Sequence, residues 1–176
     1  ANDDGGSDAG AAYLVLGSAT PASSSLSTAV EYRGEAADDW AGVAVDGLGD
    51  FDADGFDDIL VGARQNDDGG ANAGAAYLVL GGGTTSSMSL SSADAEYRGE
   101  AADDIVGYRL SRAGDVNGDG YDDALVGALW NDDGGYSLAG SSYLVLGTAT
   151  PASGSLGAAI EYTGYGYWDY AATVAE

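Results

Sequence analysis

Residues 50–63 read DFDADGFDDILVGA, and residues 115–128 read DVNGDGYDDALVGA. The two stretches lie 65 residues apart. Each sets oxygen-bearing side chains at positions 1, 3 and 5, a glycine at position 6 and an aspartate at position 9. Each then runs straight into a short apolar segment ending in Val-Gly-Ala. Other stretches keep nearly the same interval. AAYLVLG occurs at 11–17 and 75–81, and SSYLVLG at 141–147. EYRGEAADD occurs at 31–39 and 96–104, with the shorter EYTG at 161–164, and NDDGG recurs at 2–6, 66–70 and 131–135. The 176 residues are therefore a repeat array of about two and two-thirds units. Glu176 aligns with Asp46, so a third Asp-rich stretch is not reached. This phase favours a piece of a longer protein over an array completed by a neighbouring chain.

The apolar runs are short, rich in branched or aromatic residues, and bounded by Gly, Asp and Asn. None carries a helical stripe over three turns, so they read as strands and turns. Four strands are expected per unit. The first covers 42–46 and 107–111, the second 59–63 and 124–128, the third 75–80 and 141–146. The fourth covers 95–98, with counterparts at 30–33 and 160–163. Four antiparallel strands per repeat is the pattern of a propeller blade. The fold class is thus all-β, a partial β-propeller or a fragment of one. The expected division is a partial blade at 1–41, full blades at 42–106 and 107–164, and the start of another at 165–176. The Ser/Thr/Ala-rich stretches at 18–29, 83–94 and 148–159 become blade loops, with Leu26, Leu90 and Leu156 expected to pin them to the core.

Composition narrows the chemistry. There are 29 Asp+Glu against 5 Lys+Arg, a formal net charge of −24; every basic residue is Arg. So acidic a surface repels phosphate backbones and anionic lipid, which argues against nucleic-acid and membrane-surface partners. No apolar run approaches the ~20 residues of a membrane helix. His, Cys and Lys are absent, which removes the usual general base, thiolate and Schiff-base amine. Zinc, copper and haem lose their preferred ligands too. No signal peptide is visible at Ala1. The abundant ligand is carboxylate oxygen, which suits calcium. Solubility in high salt is a second reason for an Asp-rich, Lys-free chain, but it does not explain the loop spacing.

Calcium takes six to eight oxygens at about 2.3–2.6 Å, and alternate positions of a tight loop converge on one point. A glycine at position 6 permits the reversal that turns the next carbonyl inward. One expected ligand set is Asp50, Asp52, Asp54, Asp58 and the carbonyl of Phe56. The other is Asp115, Asn117, Asp119, Asp123 and the carbonyl of Tyr121. Asp57 and Asp122, at position 8, should point outward. An EF-hand is excluded, because position 12 is Val61 or Val126 inside an expected strand.

The nine-residue D-x-[DN]-x-D-G-x-D-D loop, the strand ending in Val-Gly-Ala and the following Tyr-Leu-Val-Leu-Gly strand together resemble the FG-GAP repeat. That is the propeller repeat of integrin α-chains and of many bacterial and archaeal surface proteins. Gly62-Ala63-Arg64 and Gly127-Ala128-Leu129 stand for the second half of the family signature. Trp40-Ala41-Gly42 and Ile105-Val106-Gly107 replace the first half. The resemblance covers nearly the whole chain. It implies two Ca²⁺ sites on the ligand sets above and an extracellular or cell-surface location.

Other signals are weaker. Asp67, Asp68, Asp132 and Asp133 of the NDDGG loops either assist a metal or form Asx-type turns, with turns favoured. The GEAADD segments read as links between blades. Tyr13, Tyr77 and Tyr143 are expected to pack between blades. The cluster Tyr165, Tyr167, Trp168 and Tyr170 departs from the repeat. No acid is unique and apolar-flanked, so the chain is read as non-catalytic. Three functions follow: an adhesion module binding a protein or glycan ligand, a building block of a surface layer, filament or sheath that self-associates, or an appendage of a secreted enzyme.

Overall fold

The apolar runs pair into sheets because each leaves a full row of backbone donors and acceptors that only another strand can satisfy. The computed structural model describes residues 3–20, 22–83, 85–133, 135 and 137–166. Asn2 and Gly134 of the NDDGG loops, and Tyr167, Trp168 and Tyr170, lie outside the described residues. The strands are β1 Ala11–Leu14, β2 Val30–Arg33, β3 Ala41–Gly49, β4 Asp58–Ala63, β5 Ala75–Val79 and β6 Met88–Ser89. They continue with β7 Ala95–Arg98, β8 Val106–Gly114, β9 Asp123–Ala128, β10 Ser141–Val145, β11 Gly154–Ser155 and β12 Ile160–Thr163. No α-helix occurs among the described residues, and no helix is long and apolar enough to cross a membrane.

Three sheets form, ordered β1-β2-β6, β11-β7-β5-β4-β3 and β12-β10-β9-β8. The antiparallel order β3-β4-β5-β7 recurs as β8-β9-β10-β12 with the same register. These are consecutive blades of propeller type, and the described residues form no closed ring. Both β3 and β8 run three residues past the expected strand end and carry register shifts at matching places.

The middle sheet explains why its strands are apolar throughout. Along β4 and β5, Leu60, Ala76 and Leu78 face one layer, which also holds Phe51, Val126 and Tyr143. Val61, Tyr77 and Val79 face the other, with Ala12, Tyr32 and Leu90. Alternation of period two persists, but both faces are buried. Gly62 is required by this closeness: a Cβ there would lie 2.1 Å from the Gly107 carbonyl oxygen of the next sheet.

The Ser-rich loops hold a feature beyond the expected four strands. β6 pairs parallel with β2, and β11 parallel with β7, so each loop adds a short strand to the preceding sheet. A single 3₁₀ turn follows, starting at Leu90 or Leu156, and both leucines are buried. Leu26 does not fulfil its expected role. It begins the same turn but is exposed, because the sheet that would cover it is absent among the described residues. Accordingly, Leu90→Ala should cost about 2–5 kcal/mol in urea unfolding, while Leu26→Ala should stay within about 0.5 kcal/mol of the parent in dilute solution. Equal losses at the two positions would contradict this packing.

Candidate metal centre

The loop joining β3 to β4 folds around its own carboxylates. The Asp50 carboxylate accepts the Asp54 N–H at 2.9 Å on Oδ1 and the Gly55 N–H at 3.0 Å on Oδ2. Asp52 Oδ1 also accepts the Asp54 N–H, at 3.1 Å, and Asp54 Oδ1 accepts the Phe56 N–H at 2.9 Å. Asp58 closes the loop: Oδ2 accepts from Phe51 N at 2.7 Å and Oδ1 from Gly81 N at 2.6 Å. Gly55 has φ +93°, the left-handed region that position 6 demands.

The loop from β8 to β9 repeats this design. Asp115 accepts from Asp119 N and Gly120 N, each at 3.0 Å, and Asn117 Oδ1 accepts from Asp119 N at 3.0 Å. Asp119 Oδ1 accepts from Tyr121 N at 3.1 Å. Asp123 accepts from Val116 N at 2.9 Å and Gly147 N at 2.8 Å. Gly120 also has φ +93°.

One oxygen each from Asp50, Asp52 and Asp58 falls within a mutual 4.8 Å. A cation at about 2.3–2.6 Å from each oxygen spans such separations. Each carboxylate oxygen has two acceptor sites, so an N–H bond leaves room for an ion. The donors are all hard oxygens, which fits calcium. The three-carboxylate convergence belongs to the first loop. In the second, Asn117 stands where Asp52 does, and its Nδ2 donates to Asp119 Oδ2 at 2.9 Å. Burial pushes the Asp58 carboxyl above its ordinary value, and the charges of Asp52 and Asp54 raise it further against the two N–H donors.

The two position-8 acids differ. Asp57 is exposed, as expected. Asp122 is instead a clamp between sheets. It takes both oxygens to Arg112 Nη2, at 2.9 and 2.8 Å, and accepts the Asp50 N–H at 2.9 Å. The Asp122 N–H donates in turn to the Asp50 carbonyl at 3.0 Å, so the two loops are bonded to each other. An outward side chain was expected because a local reading sees only the chain's own hairpin.

At the other end of the sheets, acids gather a second way. Glu35, Asp68 and Glu96 bring oxygens within 4.8 Å, and so do Glu100, Asp133 and Glu161. Asn66 and Tyr77 both donate to Glu35 Oε1, at 3.0 and 2.5 Å, and Asn131 and Tyr143 do the same to Glu100 Oε1, at 3.4 and 2.5 Å. Tyr77 and Tyr143 thus pack between sheets, as expected. The turn reading of the NDDGG loops also holds, since Asn66 Oδ1 accepts from Asp68 N at 2.9 Å and Asn131 Oδ1 from Asp133 N at 3.1 Å. The glutamates were missed in the sequence because they lie in three separate segments. Their common signal was the 65-residue recurrence of Glu35, Asp68 and Glu96 as Glu100, Asp133 and Glu161.

The model of the FG-GAP repeat matches residues 41–79, the span from β3 to β5 with the first acidic loop. Integrin alpha-PS2 of Drosophila melanogaster is 37% identical over 87 residues, which is 47% of this chain. The match spans 6% of that relative's length.

Glu96 provides a test of the glutamate cluster. Burial, with the Glu35 and Asp68 charges, pushes its carboxyl up to about 7 against the pull of Arg98. Burial also pushes the Asp39 carboxyl up to about 6. A carboxyl raised in the fold binds its proton more tightly there than in the unfolded chain, where it titrates near about 4. Stability from these groups is therefore fully present below about pH 4 and is lost as pH rises through about 7. Glu96→Gln should raise the melting temperature at about pH 8 and leave it little changed at about pH 4, by calorimetry in chelator. A pH-independent difference would refute the raised titration of Glu96.

Proposed function

We propose that this FG-GAP repeat protein is a calcium-stiffened, non-catalytic adhesion module that works outside the cell and presents an acidic surface to a protein or glycan ligand. The observation that carries this reading is the convergence of Asp50, Asp52 and Asp58 in a loop whose backbone bonding recurs at Asp115–Asp123. The likeness to integrin alpha-PS2 supports an adhesion role and a surface location. Asp50, Asp52, Asp54, Asp58 and the Phe56 carbonyl would hold one Ca²⁺. Asp115, Asn117, Asp119, Asp123 and the Tyr121 carbonyl would hold the other.

The ion's contribution is electrostatic. Five aspartates within residues 50–58 repel one another, and a divalent cation turns that repulsion into attraction. The chain's own residues do the rest. Gly55 and Gly120 set the reversal, backbone N–H groups aim the carboxylates, and Asp58 and Asp123 bind the loop to the end of the third strand. Because Asp122 bonds Asp50, a loop rigidified in one sheet also holds its neighbour in place. The absence of His, Cys and Lys, and the use of the buried acids as acceptors of structural N–H bonds, support a binding role over catalysis.

Thermal melts with increasing Ca²⁺ test this. Extracellular modules bind calcium at about 10⁻⁴–10⁻³ M. At ten to a hundred times Kd, each site should then add about 1.4–2.7 kcal/mol. For a chain of this size that raises the melting temperature by about 3–10 °C. Asp50→Asn combined with Asp115→Asn should abolish the calcium-dependent increment, whatever its effect on the metal-free fold. An unchanged melting temperature in about 10–100 mM Ca²⁺, ten to a hundred times the weaker of these constants, or an increment the double variant keeps, would sink the calcium reading.

A further inference from the structure

The first acidic loop is fastened from outside itself. Asp50 opens the loop directly after β3, and one residue of the second loop holds both of its backbone polar groups. The Asp50 N–H donates to Asp122 Oδ2 at 2.9 Å, and its carbonyl accepts the Asp122 N–H at 3.0 Å. The carbonyl of Phe51, next in the chain, accepts the Thr148 N–H at 3.0 Å. Asp122 is itself oriented. Arg112 Nη2 donates to both of its oxygens, and the Arg112 N–H donates to Asp46 Oδ2 at 2.7 Å. Asp46 lies in β3 and Arg112 in β8, so the circuit Asp46–Arg112–Asp122–Asp50 closes between two sheets. The backbone leaves room for it: a Cβ on Gly49, at φ +82°, would collide with Asp122 Oδ2.

The far side of this clamp is the second loop. Asp122 stands between Tyr121, whose carbonyl is one ligand candidate, and Asp123, whose carboxylate is another. Asp123 Oδ1 accepts the Gly147 N–H at 2.8 Å, and Thr148, the next residue, holds Phe51. Gly147 lies against both loops, since a Cβ there would collide with the carbonyl oxygens of Asp122 and Phe51. An ion held by the Tyr121 carbonyl and Asp123 would fix Asp122 from both sides. The bonds to the first loop start from Asp122 and from Thr148, so that fixing reaches Asp50 and Phe51.

We infer that Asp122 is a positioning residue for the first calcium site and couples that site to the second. The inference rests on the calcium reading above and names the residue that links the two loops. A loop whose opening residue is already held loses less entropy when an ion binds, so it binds more tightly. Coupling between two binding sites is reciprocal: each filled loop raises the affinity of the other by the same factor. Asp57 supplies the contrast. It occupies position 8 of the first loop itself, carries the same charge and is exposed. If Asp122 acted only as a nearby negative charge, removing Asp57 would cost the first loop a comparable loss.

The test is a calcium titration of the 176-residue chain followed by NMR, with the Gly55 N–H reporting the first loop and the Gly120 N–H the second. Asp122→Ala should raise the calcium concentration at the Gly55 midpoint by at least about fivefold. Asp122→Asn, which keeps an acceptor for the Asp50 N–H, should recover most of that loss. Asp57→Ala should move the same midpoint by less than about twofold. Asp115→Asn, which disables the second loop, should weaken the Gly55 response in the wild-type chain and have no further effect in the Asp122→Ala background. A purely structural role would lower the calcium-free melting temperature of Asp122→Ala and leave its Gly55 midpoint in place, which overturns the inference. A Gly55 midpoint that moves as far with Asp57→Ala overturns it too, with calcium binding intact. No calcium response at either glycine of the wild-type chain overturns the calcium reading and this inference with it.

Discussion

A carboxylate taken out of water must find donors or lose its charge, and the fold is organised around two that find them. Asp58 and Asp123 are almost wholly buried. Each spends one oxygen on the start of its own loop, Phe51 or Val116, and the other on the residue that leaves the third strand, Gly81 or Gly147. A charged acceptor makes each of these bonds stronger than an ordinary amide pair, and losing one costs more. The loop therefore cannot move without breaking its tie to the third strand. The other aspartates of the loop are carried into proximity by that anchoring, repulsion included.

Antiparallel order then decides where charge collects. Loops from first to second strand and from third to fourth emerge at one end of each sheet; the remaining loops emerge at the other. Among the described residues the nine-residue Asp-rich loops lie at the first end. Glu35, Asp68 and Glu96 meet at the second, with Glu100, Asp133 and Glu161 one repeat later. The tyrosines Tyr77 and Tyr143 join the apolar layer to this second end, ring in the core and hydroxyl on a glutamate of the preceding link. Burial beside carboxylates pushes both phenols far above their ordinary range, so they serve as fixed donors.

The strands and the Asp-rich loops were legible because each rule behind them is local. Period-two alternation, Gly at position 6 and oxygen at alternate positions are all visible within nine to fourteen residues, and recurrence at 65 removed chance matches. Three features were not legible, each for a non-local reason. The fifth strands β6 and β11 are two residues long and pair with the previous unit, so Ser-rich sequence conceals them. Asp122 was expected to face solvent, and its partner Asp50 lies 72 residues away in another sheet. Leu26 carries the same local signal as Leu90 and Leu156, yet burial belongs to the covering sheet and not to the leucine.

The way the acids are satisfied separates two explanations of the net charge. Among the described residues, ion pairs join Arg98 to Glu96 at 3.7 Å and Arg112 to Asp122 at 2.8 Å. Arg64 lies over the Trp40 ring and Arg109 over Tyr108, so cations are partly spent on aromatic faces. The loop carboxylates are held by backbone N–H groups, which orient charge without cancelling it. Cancellation has to come from solution. Monovalent salt screens all exposed acids alike, over a length set by ionic strength. A divalent ion acts only where several oxygens already converge, as at Asp50, Asp52 and Asp58. Screening by salt would thus bear on how many acids the chain tolerates, and a cation, if bound as proposed, on where the loops place them.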